Sequence, residues 1–185
     1  MKDKIFYNNK GAELSALGKY DEAESCFKQA LELEPWDCSR EPTPCDYMIM
    51  YNIGYVLLKK GDKKEYVKWF DQAFGNAAKE NKGFLALDCG LACYGVGLYE
   101  EAEKYYGLAF SFGESSAEYW NRVGVLSFVT ESYEKAKECF EKAVSLEPDH
   151  ADALYNLADT YDELGLPEKA AEARAKYSAL AAEEE

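Results

Sequence analysis

Along most of the chain, apolar side chains recur every third or fourth position, the spacing of one face of an α-helix. The pattern runs for about a dozen residues, breaks, and starts again. Slid back by 34 residues, the segment from Ala117 to His150 lies over Gly83 to Ser116. Gly124 then meets Gly90, Tyr133 meets Tyr99, Ala136 meets Ala102, Phe140 meets Tyr106, and Ala143 meets Ala109. Slid forward, Leu157, Ala158, Tyr161, Gly165 and Ala170 continue the series. Near the N-terminus Gly11, Gly18, Tyr20, Ala23, Phe27, Ala30 and Pro35 repeat it, and a weaker copy passes through Ile53, Gly54, Gly61, Phe70 and Ala73. Self-similarity at such a period marks a repeat architecture. The pattern predicts five helix pairs, over about 4–37, 47–80, 83–116, 117–150 and 151–184, in one array spanning 1–185.

The repeated residues have physical roles. Gly54, Gly90, Gly124 and Ala158 on the first helices, and Ala23, Ala102, Ala136 and Ala170 on the second, leave room for large side chains of a neighbouring helix. Gly18, Gly61, Gly97 and Gly165 fall between the helices, where a positive φ suits glycine; Glu131 stands in the fourth unit's place. Pro35 and Pro148 close their units. This set, fullest in Trp120, Gly124, Tyr133, Ala136, Phe140, Ala143 and Pro148, resembles the tetratricopeptide repeat (TPR) family over nearly the whole chain. The resemblance implies an all-α fold, a right-handed superhelix of paired helices whose task is to bind another protein.

Three departures carry expectations. About nine extra residues, 38–46, separate the first two units and read as a loop. Asn81 and Lys82 are also extra. Tyr66 replaces the alanine the family prefers, so the second helix of unit two is expected to be displaced, or its phenol to tip into solvent. The Ala, Glu and Lys-rich last helix reads as the polar cap of a solenoid.

Charge narrows the partner. Twenty-one basic residues face thirty-five acidic ones, a net charge of −14, which argues against nucleic acid and anionic membranes. A neutral, apolar or basic partner is the complement. With neither a secretory signal nor a long apolar run in the sequence, and with six cysteines read as reduced thiols, the expected location is cytoplasmic.

Catalytic chemistry finds little purchase. His150, the one histidine, sits at a unit junction and reads as a helix-end residue; no catalytic residue, cofactor or metal is expected. Cys89 and Cys93 lie one helical turn apart but at packing positions, and Cys26 and Cys139 occupy equivalent sites where Trp69 and Tyr105 stand elsewhere. Cys38 and Cys45 are spaced too widely for a zinc pair; a redox sensor built on them is one alternative function, and a self-associating assembly module another.

If the family's geometry carries over, the first helices line a concave groove. Its wall would be Tyr51, Asn52, Tyr55, Phe84, Leu87, Leu91, Tyr94, Arg122, Val125, Phe128, Tyr155, Asp159 and Asp162, joined in the first unit by Asn8, Ala12 and Ser15. The centre is aromatic and the far end acidic, which suits an apolar or amphipathic peptide or helix with some basic character. Some members of the family clamp acidic C-terminal tails with Lys, Asn and Arg. Here Ala12, Phe84, Asp88 and Glu118 stand at such places, so binding of those tails is not expected.

Overall fold

The computed structural model describes residues 3–33, 46–62 and 64–183. Cys38, Cys45 and the inserted segment, apart from Asp46, lie outside the described residues, as does the redox reading that rests on them. Among the described residues there are ten α-helices, one 3-10 turn and no strand. They are α1 (Lys4–Ala16), α2 (Tyr20–Glu32), α3 (Asp46–Lys60), α4 (Glu65–Asn76), α5 (Lys82–Tyr94), α6 (Tyr99–Ser111), α7 (Ala117–Val129), α8 (Tyr133–Leu146), α9 (Ala151–Glu163) and α10 (Pro167–Glu183). The extra residues before the third unit go into the 3-10 turn, Lys79–Asn81, and the start of α5. The chain forms two compact units, Met1–Val96 and Gly97–Glu185, whose boundary falls inside the third repeat.

The turns between helices follow one design. In five of them the residue past the helix has positive φ: Gly18 at 72°, Gly61 at 83°, Gly113 at 94°, Glu131 at 59° and Gly165 at 68°. Each time, two backbone N–H groups return to the helix end. Lys19 donates to the Leu14 carbonyl at 2.9 Å and Gly18 to Ser15; Ser132 donates to Ser127 at 2.8 Å and Glu131 to Phe128. This double closure satisfies carbonyls the helix leaves open. It forms at Glu131 without glycine, at the steric cost an L-residue carries in that conformation. Glu131→Gly is therefore expected to raise the unfolding free energy by about 0.5–1 kcal/mol, the strain relieved less the entropy gained by the unfolded chain. A urea midpoint that falls instead would show that the glutamate side chain makes a contact outweighing its backbone.

Packing within the pairs follows from the small residues. A Cβ on Gly11, Gly54 or Gly124 would sit 2.6, 2.5 or 2.6 Å from the ring of Phe27, Phe70 or Phe140 respectively. Each ring thus lies directly on a glycine of the preceding helix, and all three phenylalanines are buried. The expected displacement at Tyr66 does not occur. Its ring is 3% exposed and meets Phe70 edge-on, centroids 5.5 Å apart. α4 lies as close to Gly54 as α8 does to Gly124, with the Tyr66 ring packed against Phe70. In the second unit α10 seals the core of Phe140, Leu157, Ala158 and Tyr161 with Ala170 and Ala173 alone, its other residues being largely exposed.

Candidate functional site: two walls of first helices

In the first unit the wall is built by α1, α3 and α5. Asn52 on α3 donates through Nδ2 to Oδ1 of Asn8 on α1 at 3.2 Å. Ala12 and Ser15 of α1 share a hollow of about 320 Å³ with Tyr51, Asn52 and Tyr55, floored by Phe27. Tyr51 stacks on Phe70, rings 13° apart, and its hydroxyl lies 3.4 Å from the Asp88 carbonyl on α5. The Lys59 ammonium sits 5.5 Å from the centre of the Tyr55 ring. On α5, Phe84 is 62% and Leu91 42% exposed, three to four residues either side of Asp88 on one stripe. Tyr94 is half-buried at the end of that helix. Leu87, expected on this wall, is 4% exposed and belongs to the core. α5 is apolar on nearly all sides, so helical spacing alone does not tell its outward face.

The second unit has its own wall, from α7 and α9. Asn156 donates to Asn121 at 3.1 Å, the counterpart of the Asn52–Asn8 bond. Val125, Phe128 and Asp159 line a hollow of about 210 Å³ with Asn156. Arg122 is held at 2.5 Å by Glu118, whose other oxygen is 3.4 Å from His150 Nε2. His150 Nδ1 accepts from the Ala153 N–H, so the histidine caps α9, as expected of a helix-end residue. Tyr155 packs on Tyr177, centroids 5.6 Å apart. Asp159 and Asp162, read as charge selectors, are both engaged by Arg174 of α10. The pull of these carboxylates holds the guanidinium even further above its usual range. Reading the sequence missed Asn156 and this use of Arg174. A matching asparagine in both units was the available signal for the first; the second had none.

The remaining candidates are structural. Cys26, Cys89, Cys93 and Cys139 are buried free thiols. Burial pushes the Cys89 thiol well up and that of Cys139 to about 11, so both stay protonated and unreactive at neutral pH. Among the described residues no cluster of three or more His, Cys, Asp or Glu could hold a metal ion, and no helix is long and apolar enough to cross a membrane.

Repeated helix pairs, glycine seats and asparagine-linked first helices have a counterpart among known proteins. Tetratricopeptide repeat models match residues 5–37, 49–80, 117–150 and 139–172. The chain belongs to the tetratricopeptide repeat family. Human tetratricopeptide repeat protein 7B is 26% identical over 131 residues, 71% of this chain and 14% of that protein. The chain spans 14% to 22% of the length of three curated relatives it matches. MamA from Desulfovibrio magneticus RS-1 superposes with a TM-score of 0.68 at 22% identity, over 99% of this chain and 98% of that one. YrrB, described as a TPR protein with an unusual peptide-binding site, superposes with a TM-score of 0.61 at 25% identity, over 97% and 87%. The fold is accordingly the all-α TPR solenoid, a scaffold for protein–protein interaction.

Proposed function

We propose that this chain is a non-enzymatic binding scaffold, a single TPR array that holds an apolar or amphipathic peptide or helix, partly basic, against its first-helix walls. The observation that carries this reading is the aromatic and aliphatic face of the first unit. Phe84 and Leu91 stand open beside Tyr51 and Tyr55, with polar Asn52 in the same wall. Large apolar side chains left in water around a few fixed polar groups are what a peptide-binding wall needs. The peptide-binding site named for YrrB supports the same use of the fold. Basic character in the partner follows from the net charge of −14. In the second unit a cation of the partner would have to displace Arg174, so the first unit supplies most of the affinity. The four buried free thiols favour a cytoplasmic setting.

The test compares capture from source-cell lysate by the native chain and by Tyr55→Glu/Leu91→Glu, both shown folded by circular dichroism. A protein retained by the native chain and lost from the variant supports the wall as the binding site. Equal capture by a folded variant would remove the wall from consideration. An acidic peptide ending in Glu-Glu-Val-Asp is expected to bind more weakly than about 10 μM, because Asp88 and Glu118 stand where a clamp needs cations.

A further inference from the structure

One cavity belongs to neither wall. It is a cleft of about 700 Å³ inside the second unit, between α6, α7 and α8. Tyr106, Tyr119, Val123, Leu126 and Cys139 are among its lining residues. Tyr119, Val123 and Leu126 lie one position along from Glu118, Arg122 and Val125, so the cleft faces about 100° around α7 from the wall described above. Its interior holds no charge at neutral pH, since burial raises both the Tyr119 phenol and the Cys139 thiol.

Charge is confined to the rim. Glu103 on α6 is bridged to Lys135 on α8 at 2.9 Å, closing the mouth at one point. Glu100 and Glu138 carry no ion pair among the described residues, against one such ammonium, Lys142. The rim thus presents a surplus of unpaired carboxylate. From Lys135 to Lys142 the rim follows two turns of α8, about 10 Å. An apolar trough of that length with charges strung along it matches a stretch of polypeptide better than a compact small molecule. Its volume lies within the range of about 300–1,000 Å³ that a specific binding cleft requires.

We propose that this cleft is a second docking site, taking a partner-protein segment with several large apolar side chains flanked by Lys or Arg. The apolar side chains enter between Tyr106 and Leu126, and the flanking cations meet Glu100 and Glu138. The site is independent of the first-helix walls, since it uses another face of α7 and the helices α6 and α8.

The test uses the full chain with labelled methyl groups and a synthetic amidated peptide of Leu and Lys, about 14 residues or four helical turns long. A Leu and Glu peptide of the same pattern is the control. Binding of the Leu–Lys peptide is expected to shift the methyl signals of Val123 and Leu126. Gly107→Trp is expected to obstruct the cleft, because Gly107 lines it and a Cβ there meets nothing within 4 Å. That variant, and separately Glu100→Lys/Glu138→Lys, should each weaken the Val123 and Leu126 response at least about tenfold, or 1.4 kcal/mol. Tyr55→Glu/Leu91→Glu should leave it unchanged, which separates this site from the wall. The proposal is overturned if the response survives both cleft variants, or if the Leu–Glu peptide binds as tightly. It is also overturned if Val123 and Leu126 shift when the chain alone is concentrated, since a second copy would then be the occupant.

Discussion

Phe140→Ala is expected to lower the unfolding free energy by about 3–5 kcal/mol, read as the shift in a urea denaturation curve. The ring is fully buried, lies against Gly124 on α7, and shares one core cluster with Ala136 on its own helix and with Leu157, Ala158, Tyr161 and Ala170 of α9 and α10. Removing it empties the point where the fourth pair meets the fifth. Glycine on α7 cannot fill the space, and a rigid backbone collapses into it only in part. The converse change, Gly124→Ala, should also destabilise, by about 1–3 kcal/mol. Alanine gains about 1 kcal/mol of helix propensity, but its Cβ would lie 2.6 Å from the Phe140 ring, with buried walls behind it. The two sites are in contact, so their effects are not additive. Gly124→Ala with Phe140→Leu should recover part of the loss. A cost for Phe140→Ala under about 1 kcal/mol would show that the fifth pair slides in to close the gap.

That same contact explains why the fold was legible. A glycine followed 16 residues later by an aromatic on the next helix, at Gly11/Phe27, Gly54/Phe70, Gly90/Tyr106 and Gly124/Phe140, is a steric demand written in residue types, and only a close helix pair uses it. The turn glycines are equally direct, since four of those named have positive φ. Glu131 shows the limit: the turn is fixed by the two returning backbone hydrogen bonds, and these tolerate a residue the sequence pattern would not choose. Tyr66 shows another. Residue size predicted a displaced α4, but a phenol can pack edge-on against Phe70, and no one-dimensional reading holds that option.

The sites were less legible because they depend on which way a helix turns and what crosses from its neighbours. Ala12, Ser15, Tyr51, Asn52 and Tyr55, which the repeat register sets on the first helices, line one hollow. On α5, Leu85, Ala86, Leu87, Cys89 and Cys93 are all buried, so an apolar helix with no polar side gave no way to exclude Leu87. Asp159 and Asp162 looked available until Arg174, 15 and 12 residues away, was seen to reach them. The cleft beside α7 has no sequence signature, because it is defined by the distance between α6 and α8 rather than by any residue type. The candidate sites lie where tertiary packing decides exposure, and structure adds most at those same residues.

The other large effect is expected where the first two repeats meet. Lys4 has a side chain only 1% exposed, and its ammonium lies 2.5 Å from Asp46 Oδ1 at the start of α3. A lysine at the N-terminal end of a surface helix would ordinarily be solvated; among the described residues this ammonium is bridged to the Asp46 carboxylate. Asp46→Ala leaves it buried without its partner, and the cost should be about 2–3 kcal/mol. This is at or below the bottom of the range of about 3–5 kcal/mol for a broken buried pair, because Asp46 itself is 36% exposed and water reaches its side of the bridge. Lys4→Met has a different sign structure. It removes the buried charge, keeps the length of the side chain, and returns Asp46 to water in the first turn of α3, where a carboxylate suits the helix dipole. Its stability should stay within about 1 kcal/mol of the native chain. The double variant Lys4→Met/Asp46→Ala should then fall near Lys4→Met and well above Asp46→Ala, the signature of a pair whose main energetic content is the penalty of leaving one member alone. If Lys4→Met proves as damaging as Asp46→Ala, the bridge contributes a net attraction across the α1–α3 junction. The array's first repeat is then held in place by charge rather than by the apolar contacts behind it.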